Sequence, residues 1–348
     1  MRFMNRRTRV ALILAAATAL GSLAFIPAAN AQNSPALSAR ASLSSSLRLN
    51  PQAATVTPAA TACAIGSRTY NRFSACLLTT GSVTFLVDDE PVGEITFLVD
   101  QTDLLAVKST SITEEVYIHD IAAEGETEPT DLGVTATCGT GCKGSAHAPV
   151  ALVADESYHY DLHFTNTIAA NAARFNTPTY DWEFSTGGVS TTRGEQWRCD
   201  DKLNQRAGCV YASFIPTITT MAGLKFIAPN IRSVQARGGP KELHRNSLLT
   251  SSNRTAACNI KLPAGWKPPA GWPLPITDLN NKPTCDEYPF AGTWEGGKRL
   301  PASQRGTAWV PYGENSSQGG LLNAFYLANR VLNATSKTTK GDAFYVVP

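Results

Sequence analysis

Eight cysteines constrain this chain more than any other feature, because they fall as four couples close in sequence rather than as scattered singles. Cys63/Cys76, Cys138/Cys142, Cys199/Cys209 and Cys258/Cys285 would each close a short loop. That is the pairing expected, although eight cysteines admit about a hundred connectivities. Disulfides need an oxidising compartment, and the N-terminus reads as the address for one. Arg2, Arg6, Arg7 and Arg9 precede an apolar run from Val10 to about Ile26, and Ala29-Asn30-Ala31 supplies a small-x-small cleavage pattern. A signal peptide over residues 1–31 is expected, with a secreted, extracellular mature chain beginning near Gln32. The run is broken by Gly21 and Pro27. No later stretch approaches the roughly 20 apolar residues of a membrane span, so no transmembrane segment is expected in the mature chain. No Cys-x-x-Cys pair occurs, which argues against a zinc site.

The 348 residues divide by texture. Residues 32–62 are rich in Ala, Ser, Pro and Thr and carry few large apolar groups, the composition of a disordered linker. Residues 63–229 read as a mainly antiparallel β domain, sandwich-like and of unknown function. Val83–Val87 and Ile95–Val99 are β-branched runs around a turn over Asp88–Glu94 and read as a hairpin. Tyr158, Tyr160, Leu162 and Phe164 alternate with His159, Asp161 and His163; the latter face could bind metal, but the solvated face of a strand is the better reading. Residues 230–348 read as a small α+β domain. Expected there are a short helix over Leu243–Ala257, an irregular Pro/Trp loop over Pro263–Pro283, and β segments around Tyr288–Phe290 and over Thr307–Tyr312. A helix from Gly319 to about Leu332 and a closing strand near Phe344–Val347 complete the expectation.

Charge is as uneven as texture. Residues 81–160 hold 15 acids against Lys108 and Lys143, a net of −13, whereas residues 238–348 hold 12 bases and 7 acids, a net of +5. The basic part is where a polyanion would bind, and the acidic part could serve as its internal inhibitor or as a platform for a cell-wall or protein partner.

The chemistry concentrates in Cys285-Asp286-Glu287-Tyr288-Pro289-Phe290-Ala291, then Glu295-Gly296-Gly297, then Asn315-Ser316-x-x-Gly319, then Phe325-Tyr326-x-x-Asn329-Arg330. In this order and spacing the run resembles the NucA/NucB family of secreted bacterial deoxyribonucleases, over Gly238 to Pro348. The resemblance implies a core like that of the ββα-metal nucleases, DNA (or RNA) as substrate, and a divalent cation, Mg²⁺ or Mn²⁺ before Ca²⁺. It implies Asp286 as general base, since no histidine follows His244. Glu287 would orient a basic neighbour or simply hold the fold, Asn315 would be a metal ligand with Glu295 as a second, and Arg330, Arg299 and Lys298 would clamp phosphates. His244 reads first as a structural histidine. A glycosidase pair is the weaker reading, because adjacent residues of one strand point to opposite faces and cannot flank one bond. The competing reading is a secreted interaction protein built on a degenerate nuclease core.

Overall fold

A computed structural model describes residues 37–43, 48–51, 63, 65 and 67–348. The leader expected over residues 1–31 lies outside these. Within the stretch read as linker, Ser38–Leu43 forms a strand paired antiparallel with Ser74–Val87, and Arg48–Pro51 pairs with Ser67–Tyr70. Alternation explains the first of these. Leu43 is buried while Ser38, Arg40 and Ser42 are not, so small apolar residues at every second position suffice for a strand that an existing sheet edge can accept.

An eight-stranded sheet carries the first part of the chain, its long strands Ser74–Val87, Glu90–Leu104, Ser111–Gly125 and Tyr158–Asn166 running side by side and antiparallel. A four-stranded sheet of Val189–Arg193, Thr179–Phe184, Asp131–Thr137 and Ala146–Ala151 contributes to the same hydrophobic core, in which Phe97 of one sheet meets Phe184 of the other. The first hairpin turns more tightly than expected. Asp88 and Asp89 alone form the turn, both at positive φ, while Pro91 and Gly93 lie inside the returning strand. Two successive left-handed residues match the right-handed twist of the strands, and aspartate tolerates that conformation. On Tyr158–Asn166 the aromatic and leucine side chains from Tyr160 onward are buried, whereas His159, Asp161 and His163 face solvent.

Inside this core Asp103 and Glu114 oppose each other across neighbouring strands. Burial pushes both carboxyls up, and the Tyr211 and Tyr180 hydroxyls donate to them.

A second hydrophobic core gathers Ile227, Ile231, Val234, Leu243, Tyr288, Val310, Tyr326 and Phe344. Around it lie helix α1 (Ala228–Ala236), helix α2 (Thr250–Cys258) and helix α3 (Tyr312–Ala328), together with a hairpin of Pro283–Tyr288 and Gly306–Pro311. Two elements differ from expectation. Leu243 is not helical but fully buried in Glu242–His244, which pairs with the closing strand Ala343–Val346, so helix begins only at Thr250. Helix α3 starts seven residues before Gly319, directly after Pro311, whose fixed φ suits a helix entry. Its Glu314 accepts hydrogen bonds from the Phe226 and Ile227 N–H groups at 2.7 and 2.9 Å, which closes the open start of α1. All four disulfides join the neighbouring couples: Cys63–Cys76, Cys138–Cys142, Cys199–Cys209 and Cys258–Cys285.

Residues 37–348 form one compact unit, and a lattice of arginines joins the two cores. Arg330 ends α3 at φ +46, the left-handed position a glycine normally takes, and its guanidinium is fully buried. Its Nε donates to Asp200 Oδ2 at 3.2 Å, Nη1 to the carbonyls of Val107 and Arg206 at 2.6 and 3.0 Å, and Nη2 to both the carbonyl and carboxylate of Asp200. Arg198 and Arg72 complete the joint, bonding the Arg330 carbonyl and pairing with Asp342. Breaking such a pair leaves a buried charge uncompensated. Asp200→Ala, a change made in the β-rich part, is expected to cost about 3–5 kcal/mol in a urea melt. A loss below about 1 kcal/mol would show that the joint is incidental.

Candidate active site

The Pro283–Tyr288 strand carries both acids of the motif and, as the pleat requires, sends them to different neighbours. Glu287 faces α2: its Oε1 lies 3.6 Å from Arg254 Nε, and its Oε2 3.2 Å from Cys258 Sγ. Asp286 faces α1 and α3. Asn230 Nδ2 of α1 lies 3.5 Å from its Oδ2, and the Gln318 side chain of α3 approaches without reaching full hydrogen-bond geometry, leaving Gln318 Nε2 with no partner of its own.

Both acids are buried, and the electrostatics differ accordingly. Burial, reinforced by the Glu287 charge, pushes the Asp286 carboxyl from the usual 3.8 up to about 7, against a smaller downward pull from Gln318 and Asn230. Burial also raises Glu287, but there the Arg254 guanidinium works against it. Asp286 is thus the acid whose charge changes near neutral pH.

A cleft of about 270 Å³ opens beside the strand. Its lining takes Arg254 and Thr250 from α2, Glu287 from the strand, and Asn315, Gln318 and Leu322 from α3. Positions 315, 318 and 322 are one helical face, so the early start of α3 is what brings Asn315 to the cleft. The Asn315 amide nitrogen donates to the Cys285 carbonyl at 3.2 Å, which leaves its oxygen free of that bond. Arg245 also lines the cleft, held by Val331 O at 2.6 Å and lying 4.4 Å from the Tyr326 ring centre. Among the described residues, none before Arg245 lines this cleft.

The other expected site residues are placed elsewhere. Arg330 cannot clamp a phosphate, because the joint described above buries it completely and fills its donors. Glu295 is held by the backbone N–H and ring Nδ1 of His244 at 2.9 and 2.8 Å, and is not part of the cleft lining. His244 is accordingly a partner of Glu295, with Glu242 3.7 Å from its other ring nitrogen. Arg299 lies 4.1 Å from the Trp294 ring centre, and both it and Lys298 are exposed outside the lining. Sequence reasoning passed over Arg254, Gln318, Asn230 and Arg245. The Asn315-x-x-Gln318 spacing was a usable signal for one of them, but only once the helix is known to start at Tyr312.

A cleft that sets two arginines beside the Glu287 carboxylate and the Asn315 amide is suited to a phosphate ester, although Asp286 itself is not part of its lining. Residues 244–347 of this chain match the family described as Deoxyribonuclease NucA/NucB, and that span contains every residue of the cleft. No curated protein and no solved structure matches the chain.

The raised Asp286 carboxyl makes a pH-dependent statement about stability. A carboxyl whose folded value lies above its unfolded value favours the fold at low pH, and that contribution is lost as pH rises from about 4 through about 7. Asp286→Asn removes the buried charge. It should therefore be more stable than the parent chain above about pH 7, with the gap closing toward pH 4. Urea melts across this range check it, and a pH-independent gap would refute the assignment.

Proposed function

We propose that the protein is an extracellular, metal-dependent endonuclease that hydrolyses the phosphodiester bonds of DNA with little sequence specificity. The observation that carries this reading is the coincidence of the deoxyribonuclease match with a cleft lined by Arg245, Arg254, Glu287 and Asn315. The order hairpin strand, hairpin strand, helix (Pro283–Tyr288, Gly306–Pro311, α3) supports a ββα-type core. The four disulfides support an oxidising destination, and among the described residues no helix is long and apolar enough to cross a membrane.

The donor set fits a hard divalent cation. Asn315 offers an amide oxygen and Glu287 a carboxylate, whereas the sulfurs beside Glu287 are tied up in the Cys258–Cys285 bridge. Mg²⁺ or Mn²⁺ suits a site with few protein ligands, because such ions retain several waters; Ca²⁺ is the other hard candidate. When bound, the cation would offset charge on the phosphate and acidify water. Arg254 and Arg245 hold the phosphate in the cleft by charge. Asp286 accepts the proton released by the attacking water. An acid near pKa 7 is a better base at neutral pH than an ordinary aspartate. Gln318, which lies both beside Asp286 and in the cleft lining, links the base to the cleft. Contacts to the substrate are mainly to its backbone, so cleavage should be salt-sensitive and sequence-tolerant.

Plasmid digestion with Mg²⁺ or Mn²⁺, repeated with excess EDTA, tests the reading. Expected is cleavage that EDTA abolishes and that falls about 10²–10⁴-fold in Asp286→Asn. Parallel digestion of RNA decides whether the substrate extends beyond DNA. An interaction protein on a degenerate core would leave plasmid intact under every condition. For Arg254→Ala, KM is expected to rise about tenfold with kcat changed far less, as loss of one charged contact predicts. A fall in kcat alone would remove Arg254 from substrate binding.

A further inference from the structure

Beyond the cleft just described, Glu287 also borders a second cavity of about 190 Å³. Helix α2 walls both: Thr250 and Arg254 face the first, and Ala257, on the same helical face one turn on, faces the second. Its far side is made by Arg305, Gly306 and Thr307 at the start of the Gly306–Pro311 strand. The cavity is too small for a drug-sized ligand and suits a single phosphate or nucleotide portion. Its cation is Arg305, whose side chain has no hydrogen bond or ion pair among the described residues, only its carbonyl being engaged, by Arg237. An arginine remains charged at all working pH values and its fork matches phosphate oxygens, so a guanidinium without a partner on a cavity wall is suited to an anion.

We propose that this cavity is a second phosphate subsite, in which Arg305 receives a phosphate neighbouring the scissile one, so that a single nucleic-acid strand runs along α2 from the Arg254 cleft, past Glu287, to Arg305. The proposal rests on the nuclease reading and deepens it, naming a polynucleotide strand with at least two phosphates as the preferred substrate. It also gives Glu287 a place in the path. Its carboxylate borders both cavities and lies 3.6 Å from Arg254 Nε.

The test uses the full secreted chain and two variants, Arg305→Ala, which removes the cation, and Ala257→Leu, which fills the cavity from the helix side. The Arg305 carbonyl, which accepts from Arg237, survives the first change, and a thermal melt checks that both fold. Binding of fluorescently labelled octathymidylate is measured in EDTA, so that the result does not depend on cleavage. Turnover of bis(4-nitrophenyl) phosphate, a diester with one phosphate, is measured with Mn²⁺. Expected is about a tenfold loss of octathymidylate affinity in each variant, with turnover of the small diester unchanged. Equal affinity for octathymidylate in parent and variants overturns the subsite, as does a parallel loss on the small diester. If the parent chain turns over neither the diester nor plasmid, the nuclease reading fails on its own, while the binding series still decides whether Arg305 holds a phosphate.

Discussion

The Arg330–Asp200 pair is the interaction on which the rest of this structure depends. An arginine buried without partners would be prohibitive, and here all of its donors are met by groups from the β-rich part: the carboxylate and carbonyl of Asp200 and the carbonyls of Val107 and Arg206. The cost of a left-handed, non-glycine residue at the end of α3 is accepted in the same place, and Val331 N–H closes the turn onto Tyr326 O at 2.9 Å. The helix that carries Asn315 and Gln318 at one end is thus anchored at the other by residues some 130 positions earlier in the chain. The Cys199–Cys209 bridge stiffens the strand pair that offers Asp200, so rigidity is passed from disulfide to carboxylate to helix.

This joint bears on what the acidic part does. Its negative charge beside a basic C-terminal part suggests an internal inhibitor; within the acidic stretch it is the Val107 carbonyl that accepts from Arg330, and no described residue of that stretch lines the cleft. A support acts through geometry, and the bond from Arg330 to the Val107 carbonyl is a contact of that kind. Much of the negative charge lies on solvated positions such as Glu115, Asp120 and Asp131, where screening limits its reach to about 10 Å.

Local pattern made a large part of this legible in advance. Couples of cysteines close in sequence pair as expected because short loops lose little entropy on closure, and strict alternation over Tyr158–Phe164 fixes which side is buried. Properties set by distant partners were not legible. Arg330 belongs to a motif that suggests substrate contact, but its role is decided by Asp200, which no local pattern links to it. Glu295 looked like a ligand until His244, 51 residues away, proved to hold it. Leu243 has helical neighbours in sequence, yet a place in a sheet beside Phe344 outweighs propensity.

Adjacency of Asp286 and Glu287 becomes informative once the strand is in place. On a pleated strand two neighbouring acids point to opposite sides, so the fold separates them: one pairs with Arg254 in the cleft, the other is buried beside the Asn230 and Gln318 amides. The separation holds only while α2 keeps its distance from the strand, and two clamps see to that. Cys258–Cys285 ties the end of α2 to the strand itself, closing a loop of 27 residues worth about 3.5 kcal/mol in chain entropy. Asn253, one turn earlier, donates to the carbonyls of Ala291 and Thr293 at 2.9 Å each. Arg254 sits between these clamps, so its position over Glu287 follows from the helix being fixed on both sides, and the weak attraction of a half-exposed ion pair need not supply it.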